Sequence, residues 1–195
     1  MNHVLLSLHR GRNLDVITAA EIEHSAFDDV VQPAAFVAAS AMGELVDAFC
    51  EPDLAVPEIF ELLRLALRAF RVAPDPLALL PRFELRMLEA LGLAPPCEIC
   101  ARCGASLNER PAWLDCEAGG LAGLECRVSW MDVLELDAQD VANFQALAAA
   151  KDAPRKATLI ARSQVAKAID ALITYHLGRR PKAGLQFAEF VRPAS

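Results

Sequence analysis

Five of the six cysteines lie within thirty residues in the middle of this chain, and they constrain the fold more than any other feature. The run Cys97-Glu-Ile-Cys100-Ala-Arg-Cys103-Gly104 contains a Cys-x-x-Cys-Gly pattern, and Gly119-Gly120 and then Cys126 follow it. Two thiols at this spacing reach one tetrahedral metal ion across a tight turn, so the pattern predicts half of a zinc knuckle. The second half should be another Cys-x-x-Cys pair, but the residue three before Cys126 is Gly123.

A closed structural zinc site needs four ligands, and five thiols are available in this segment. The sequence therefore leaves more than one ligand set open, since Cys97 and Cys100 have the same spacing as Cys100 and Cys103. We predict a cysteine-rich insert at 97–128 that binds zinc through Cys100, Cys103, Cys126 and Cys116, with Cys97 as the substitute ligand.

The cysteine pattern also occurs in three kinds of segment that are not structural zinc sites. The first is a knuckle without metal, whose loop is held by packing of Trp113, Leu114 and Leu121. The second is a redox Cys-x-x-Cys pair, which is disfavoured because such pairs normally begin a helix that follows a strand. The third is a catalytic zinc, which is disfavoured because the sequence contains no His-Glu-x-x-His and the insert contains no histidine.

Composition indicates a folded, mainly helical protein. The chain has 195 residues, 54% of them apolar, and alanine and leucine dominate that fraction. No uncharged apolar run approaches the ~18 residues of a membrane span, so we expect no membrane association. Six cysteines without an evident export signal predict a reducing cytoplasm, where clustered thiols more often hold metal than form disulfides.

The pattern of apolar residues predicts a hairpin followed by about five helices. Strands at His3–His9 and Leu14–Thr18 flank a turn candidate at residues 10–13. Pro33, Pro57 and Pro76 occupy first-turn positions of helices, with Asp75 as an N-cap. The third of these helices runs to about residue 93. Asp137 is predicted to cap a short helix that reaches about residue 149. A last helix covers about 156–177 and stops at Gly178. The tail from 179 is predicted to be irregular or extended.

The charge is unevenly distributed. The net charge is −7, yet residues 154–192 contain eight basic and two acidic side chains. A basic carboxyl-terminal region in an otherwise acidic chain favours contact with a polyanion. The same basic residues are also explained by a solvated helix face or by compensation of the helix dipole. The residues predicted to contact nucleic acid are Arg10, Arg12, Arg162, Lys167, Arg179, Arg180 and Lys182.

Six motifs follow one another along the chain: Phe83-Glu-Leu-Arg86, Leu91-Gly-Leu-Ala-Pro95, the Cys100–Gly104 knuckle, Gly119-Gly120, Cys126 and Tyr175-His-Leu-Gly-Arg179. In this order they resemble the bacterial DNA-repair protein family RecO. The amino-terminal segment from Leu8 to Thr18 is similar to the last strands of that family's first domain, an OB-fold. The resemblance implies a mainly α fold in two parts. Residues 1–28 would be a β-hairpin remnant of the OB-fold, most of which is absent here, and residues 29–195 would be a helical bundle with the inserted zinc-knuckle-like segment.

The resemblance also implies a function. A protein of this family takes part in recombinational repair in the RecF pathway and is not an enzyme. Such a protein binds single-stranded DNA and anneals complementary strands. Its partners are RecR and single-strand-binding protein, the latter through its acidic-hydrophobic tail. It acts in the cytoplasm, in association with the nucleoid. The chain departs from the family's four-cysteine pattern at Gly123. The alternative is a protein-interaction module that docks the single-strand-binding protein tail in an apolar groove with basic edges and does not itself bind DNA.

Overall fold

The computed structural model of the chain describes residues 1–27, 32–73, 75–108, 110–128, 134–149 and 163–190. The strands are β1 (Asn2–His9), β2 (Val16–Ser25), β3 (Ala112–Asp115), β4 (Gly120–Gly123) and β5 (Glu135–Leu136). The helices are α1 (Pro33–Phe49), α2 (Pro57–Ala69), α3 (Leu79–Ala90), α4 (Ala138–Ala149), α5 (Gln164–Leu177) and α6 (Lys182–Phe190). Short 3-10 turns cover Pro76–Ala78 and Leu124–Cys126. About half of the described residues are thus helical, and the strands form two small sheets, one of which is inserted between α3 and α4.

The amino-terminal strands form an antiparallel hairpin whose register places Val4 opposite Ile22 and Leu6 opposite Ala20. An irregularity between Ser7 and Leu8 brings Leu8 opposite Ile17. Paired side chains share a face of the ribbon, so these residues form one apolar face, most of it exposed to solvent. The predicted hairpin is therefore present and its second strand is longer than predicted. Its assignment as an OB-fold remnant remains a prediction.

The helix starts predicted at Pro33 and Pro57 are confirmed, whereas Pro76 begins a 3-10 turn and the third α-helix starts at Leu79. Helix α1 begins at Pro33 and α2 at Pro57, and each proline fills a position whose N–H has no partner within the helix. The Asp75 carboxylate accepts a hydrogen bond from the Leu77 N–H at 3.0 Å, as expected of an N-cap. Gly178 ends α5 with φ of 66°, a left-handed conformation that glycine adopts without strain. The first part of the predicted last helix, residues 156–162, lies outside the described residues.

The prediction of an irregular tail from residue 179 is wrong for residues 182–190, which form α6. The Glu44 carboxylate on α1 accepts hydrogen bonds from the backbone N–H of Lys182 at 2.9 Å and of Ala183 at 2.6 Å. This supplies the N-terminal cap that the local sequence lacks. Phe187 then buries its ring against the core. The described residues thus contain six helices rather than five.

The core lies between α1, α3 and α5, and the inserted sheet is continuous with it. Small side chains on α1, such as the fully buried Ala38 and Ala39, let the neighbouring helices approach closely. The sheet has the strand order β4-β3-β5, and Leu121, Ala122 and Leu136 belong to the same buried cluster as the helical core residues. The predicted packing of Trp113, Leu114 and Leu121 is present. The cysteine segment is therefore packed into the helical core and does not project from it as a separate unit.

Two charged residues of α3 point inward. The Arg86 guanidinium donates to the Leu147 carbonyl at 2.6 Å and the Ala148 carbonyl at 3.1 Å, so it closes the carboxyl end of α4, and it pairs with Glu89 at 2.5 Å. Glu84 is only 5% exposed. Burial, and secondarily the charge of Asp170, raise the pKa of Glu84 well above its ordinary value, although Arg180 acts in the opposite direction.

We expect the stability difference between the Glu84→Gln variant and the wild type to depend on pH. A carboxyl whose pKa is raised in the folded state stabilises the fold only while it is protonated, and that contribution is lost as the pH rises through the folded pKa. The two proteins should have similar free energies of unfolding near the ordinary glutamate pKa of about 4.3, and the variant should become progressively more stable than wild type above it. Urea unfolding at several pH values measures this difference. Glu51→Gln, at an exposed position, is the control, and parallel pH profiles for Glu84→Gln and wild type would contradict the assignment.

Candidate functional site

Three of the five clustered thiols converge on one point. The Sγ atoms of Cys100, Cys103 and Cys126 all lie within 4.8 Å of one another. In a tetrahedral zinc site each Zn–S bond is about 2.3 Å long, which places the sulfurs roughly 3.8 Å from one another. The three sulfurs therefore need to move only slightly closer together to bind one ion. Cys100 is buried, Cys126 is half-buried and Cys103 is exposed. The group therefore lies at the surface, with one thiol anchored in the core. Thiolates are the donors that zinc prefers, so the residues present fit a zinc ion with three of its four ligands.

A tight turn carries the first two thiols. The Cys100 N–H donates to the Ala105 carbonyl at 2.7 Å, and the Gly104 N–H donates to the Cys100 carbonyl at 2.9 Å. Gly104 has φ of 74°, so this position needs a residue that accepts the left-handed region. The turn returns the chain towards Ser106, which bridges to Ile99. These contacts form the knuckle that the Cys-x-x-Cys-Gly pattern predicts.

The third thiol, that of Cys126, lies at the other end of the insert in the sequence. Strand β4 ends at Gly123, whose N–H donates to Cys100 Sγ at 3.4 Å, and the following 3-10 turn ends at Cys126. The Ala101 N–H donates to the Leu121 carbonyl at 2.7 Å and ties the knuckle to β4. Gly120 is needed on this strand, because a Cβ there would lie 2.9 Å from Pro96 Cδ and 3.1 Å from the Pro96 carbonyl oxygen.

The pKa values of Cys100 and Cys126 are shifted in opposite directions. Burial acts to raise the pKa of Cys100, but backbone N–H groups of Gly123, Cys103 and Arg102 outweigh it and lower that pKa to about 7. Hydrogen bonds with Cys103 and then Cys100 raise the pKa of Cys126 to about 12. The thiolate form is thus favoured at Cys100, whereas Cys126 retains its proton. A bound cation would hold the sulfurs as thiolates and release the protons that they carry.

An ion pair that sequence reasoning missed holds this arrangement in place. Arg102, between the two knuckle cysteines, donates to Asp115 Oδ2 at 2.5 Å and lies 3.4 Å from Glu117. Asp115 is 2% exposed, and its second oxygen accepts from the Ala118 N–H at 3.1 Å. The knuckle is therefore fixed to the β3–β4 hairpin by a charge-assisted contact. The partners are thirteen positions apart in the sequence, and no local pattern would have revealed the pair.

The structure does not bring the other two predicted ligands to the group. Cys116 follows β3, and the hairpin register pairs Asp115 with Gly120 but Ala112 with Gly123. The thiol group lies at the Gly123 end, so the length of the strand, about 10 Å, separates Cys116 from it. Cys97 is buried, and its carbonyl accepts from Gln145 Nε2 at 3.0 Å. Burial raises the pKa of both thiols, as expected of small side chains in the core.

The predicted cations of the hairpin are at its tip. Arg10 and Arg12 are both exposed in the turn between β1 and β2. The Gly11 N–H donates to Asp15 Oδ1 at 3.3 Å, which closes that turn. Both guanidinium groups can therefore extend into solvent from a supported loop.

The remaining predicted cations lie on α5 and at the start of α6, apart from Arg162, which lies outside the described residues. Lys167 is exposed and its Nζ donates to Gln164 Oε1 at 2.8 Å. Arg179 and Lys182 are exposed on either side of Pro181, and neither has a carboxylate partner in the described part of the chain. Arg180, in contrast, is held by Asp170 at 2.6 Å. Three of the described cations of this region are thus available to an outside anion, and one is engaged within the fold.

Comparison with known proteins identifies the family. Residues 32–184 match the family described as Recombination protein O C terminal, a range that includes most of the helices and the whole knuckle. The chain belongs to this family. It is 36% identical over 141 residues to the DNA repair protein RecO of Anaeromyxobacter dehalogenans strain 2CP-C, which covers 70% of this chain and 54% of that protein. It is 38% identical over 136 residues to the DNA repair protein RecO of Heliobacterium modesticaldum, covering 65% of this chain and 47% of that protein. The chain spans about half the length of these curated relatives. None of the described helices is long and apolar enough to cross a bilayer.

We expect the Cys103→Ser variant to lose most of the bound zinc and Cys116→Ser to retain it. Cys103 belongs to the convergent group and is exposed, so its replacement removes a ligand with little effect on packing. The zinc content of purified protein, about one equivalent for a single site, measures the difference. Alkylation provides a second measurement, because bound metal should protect Cys100 and Cys103 until a chelator removes it. Equal zinc loss in both variants would show that Cys116 is a ligand.

Proposed function

We propose that this protein is a mediator of DNA recombination and repair in the RecF pathway that binds single-stranded DNA and partner proteins and promotes strand annealing. Membership of the family, whose curated relatives are named DNA repair proteins, is the observation that carries the proposal. Such a protein acts by binding and not by turnover, so we also propose that it is not an enzyme. Its place of action would be the cytoplasm, in association with the nucleoid.

The exposed cations of α5 and α6 support contact with DNA. Lys167 in the first turn of α5 and Arg179 after its last turn are separated by about 18 Å along the helix, so together they can follow a strand rather than meet one phosphate. Lys182 adds a third charge at the start of α6. Lysine and arginine neutralise phosphates without reading bases, as strand annealing requires, since the charge of two strands must be screened whatever their sequence.

The partners proposed for this role are RecR and single-strand-binding protein. The Arg10 and Arg12 pair at the hairpin tip is a second candidate contact for DNA, on a different element from α5. The exposed aromatic side chains of the described residues are Phe36 on α1, Phe60 on α2 and Tyr175 on α5. Because they lie on three different helices and form no row on which bases could stack, contact with phosphates supports the proposal better than stacking does.

We expect the double variant Arg179→Ala/Lys182→Ala to bind single-stranded oligonucleotides more weakly and with less dependence on salt. Each lost phosphate contact lowers the slope of log K against log salt by about 0.7, so the double variant should lose about 1.4. Fluorescence anisotropy with labelled oligonucleotides over a range of salt concentrations measures the slope. Arg10→Ala/Arg12→Ala tests the hairpin tip in the same way. Arg64→Ala/Arg110→Ala, which removes the same charge elsewhere, should leave the slope unchanged. Absence of binding by the wild type at low salt would refute the DNA-binding role.

A groove beside the hairpin favours the second candidate function, docking of an acidic-hydrophobic tail. A cavity of about 260 Å³ lies between the hairpin and α2, and Phe60, Leu63 and Leu67 form its apolar wall. Basic side chains from both elements line it as well: His3, His24, Arg64 and Arg68. The apolar wall suits the hydrophobic end of such a tail and the basic residues suit its acidic part.

We expect Phe60→Ala to weaken binding of a peptide that carries acidic residues and ends in apolar ones. Phe60 is 52% exposed, so its truncation removes contact area with little cost to the fold. Loss of an aromatic anchor should weaken binding by roughly tenfold or more. Leu65→Ala is the matched control, because Leu65 is 55% exposed on the same helix and does not line the groove. Isothermal titration calorimetry measures the affinities, and a flat titration of the wild type would exclude this function.

A further inference from the structure

The three convergent thiols face a cavity and not a closed shell of protein. Its volume is about 350 Å³, and it is lined by the three cysteines, by Gly123, and by side chains of mixed character. Leu107, Trp113 and Leu124 are apolar, and Arg110 and Glu125 are charged. A water molecule takes about 30 Å³ in the liquid, so the cavity has room for a small ligand beside a metal ion.

Gly123 occupies the place where a fourth ligand belongs. It lies three residues before Cys126, which is the spacing of Cys100 and Cys103, and its N–H reaches Cys100 Sγ at 3.4 Å. Its φ of −72° and ψ of 166° suit any residue, so the backbone does not require glycine here. A Cβ would meet only Leu107 Cδ2, at 3.4 Å. The effect of glycine at this position is therefore chemical: it leaves the cavity without a fourth side-chain donor.

No other donor in the described residues replaces the missing one. Among their histidine, cysteine, aspartate and glutamate side chains, only Cys100, Cys103 and Cys126 form a group close enough to share an ion. Glu125 lines the cavity but is not a member of that group. Cys97 and Cys116 are not members of the group either, although both belong to the insert.

We propose that zinc bound by Cys100, Cys103 and Cys126 keeps its fourth coordination position open, and that a small exogenous thiol takes this position. In the absence of the thiol, water completes the tetrahedron, as it does at zinc sites with three protein ligands. When the thiol enters, it binds as the thiolate, the water leaves, and the thiol proton passes to solvent. The site is thus one for reversible ligand exchange at the end of a structural knuckle.

The surroundings of the site are consistent with a thiolate ligand. Three thiolates and a divalent zinc ion carry a net charge of −1, and a fourth thiolate makes it −2. The Gly123 N–H already donates to one of these sulfurs, and Arg110 brings a cation to the same cavity, so both offset the added charge. The apolar walls formed by Leu107, Trp113 and Leu124 suit the carbon portion of a small thiol.

Cobalt substitution tests the proposal on the full chain. Cobalt(II) in place of zinc gives a sulfur-to-metal charge-transfer absorption that grows with the number of bound thiolates. The wild type should show the intensity of three thiolates, and titration with 2-mercaptoethanol should raise it by about one third as the fourth position fills. The Gly123→Cys variant should show the intensity of four thiolates without added thiol, should not respond to the titration, and should release metal to a chelator at least tenfold more slowly.

Gly123→Ala is the matched control, because it adds the Cβ without the sulfur. It should keep the three-thiolate intensity and the response to thiol. A wild-type spectrum that already has the intensity of four thiolates, a three-thiolate spectrum that does not respond to thiol, or the absence of cobalt binding would each overturn the proposal. Since the response to thiol is measured on the wild type, the test does not depend on the folding of either variant, and it is independent of DNA binding.

Discussion

The packing of the cysteine insert on the helices is the constraint on which the candidate site depends. Strand β4 approaches the chain that enters the insert so closely that Gly120 has no room for a Cβ beside Pro96. Leu121 and Ala122, the next two residues, are fully buried in the same core as α1, α3 and α5. The positions of Gly123 and Cys126 follow directly from this contact, because they continue the strand. Apolar burial of β4 therefore contributes to bringing the thiols together.

The packing of β4 also explains why the three thiols differ in their exposure to solvent. Cys100 is close to the buried strand and is held by N–H donors, whereas Cys103 lies at the outer end of the knuckle and is exposed. Arg102 between them is fixed by the buried carboxylate of Asp115, which holds the turn in shape while its tip stays in solvent. A metal ion held by these three thiols would fix the tip of the insert and would be accessible to ligands from solution, in contrast to a zinc ion enclosed by four protein side chains.

Local signals in the sequence predicted those parts of the fold that depend on neighbouring residues. Pro33, Pro57 and Asp75 mark helix starts through backbone geometry and short-range hydrogen bonds, and Gly178 marks a stop in the same way. The knuckle turn was predictable for the same reason. The register of β3 and β4 was not, because the sequence does not reveal which end of the hairpin faces the knuckle. The pairing of Ala112 with Gly123 places Cys116 at the far end, and a count of thiols contains no such information.

Contacts between distant residues account for the rest of what the sequence did not reveal. Helix α6 has no cap of its own, and Glu44, 138 residues earlier, supplies one. Glu84 lies four residues from both Leu80 and Leu88 and so shares the buried face of α3, but the sequence did not reveal that the charge of Asp170, on α5, would act on it there.

Contacts between distant residues also distinguish the paired basic residue Arg180 at the carboxyl end from Arg179 and Lys182, which are unpaired among the described residues. Asp170 is partly buried, and burial raises its pKa, so its charged form depends on the guanidinium of Arg180 at 2.6 Å. Arg180 is therefore engaged within the fold by its ion pair with Asp170. Arg179 and Lys182, on either side of Arg180, are exposed and have no carboxylate partner in the described part of the chain. A basic cluster in a sequence is therefore not a uniform binding surface, since one of its members is paired with a carboxylate of the fold and its neighbours, within the described ranges, are not.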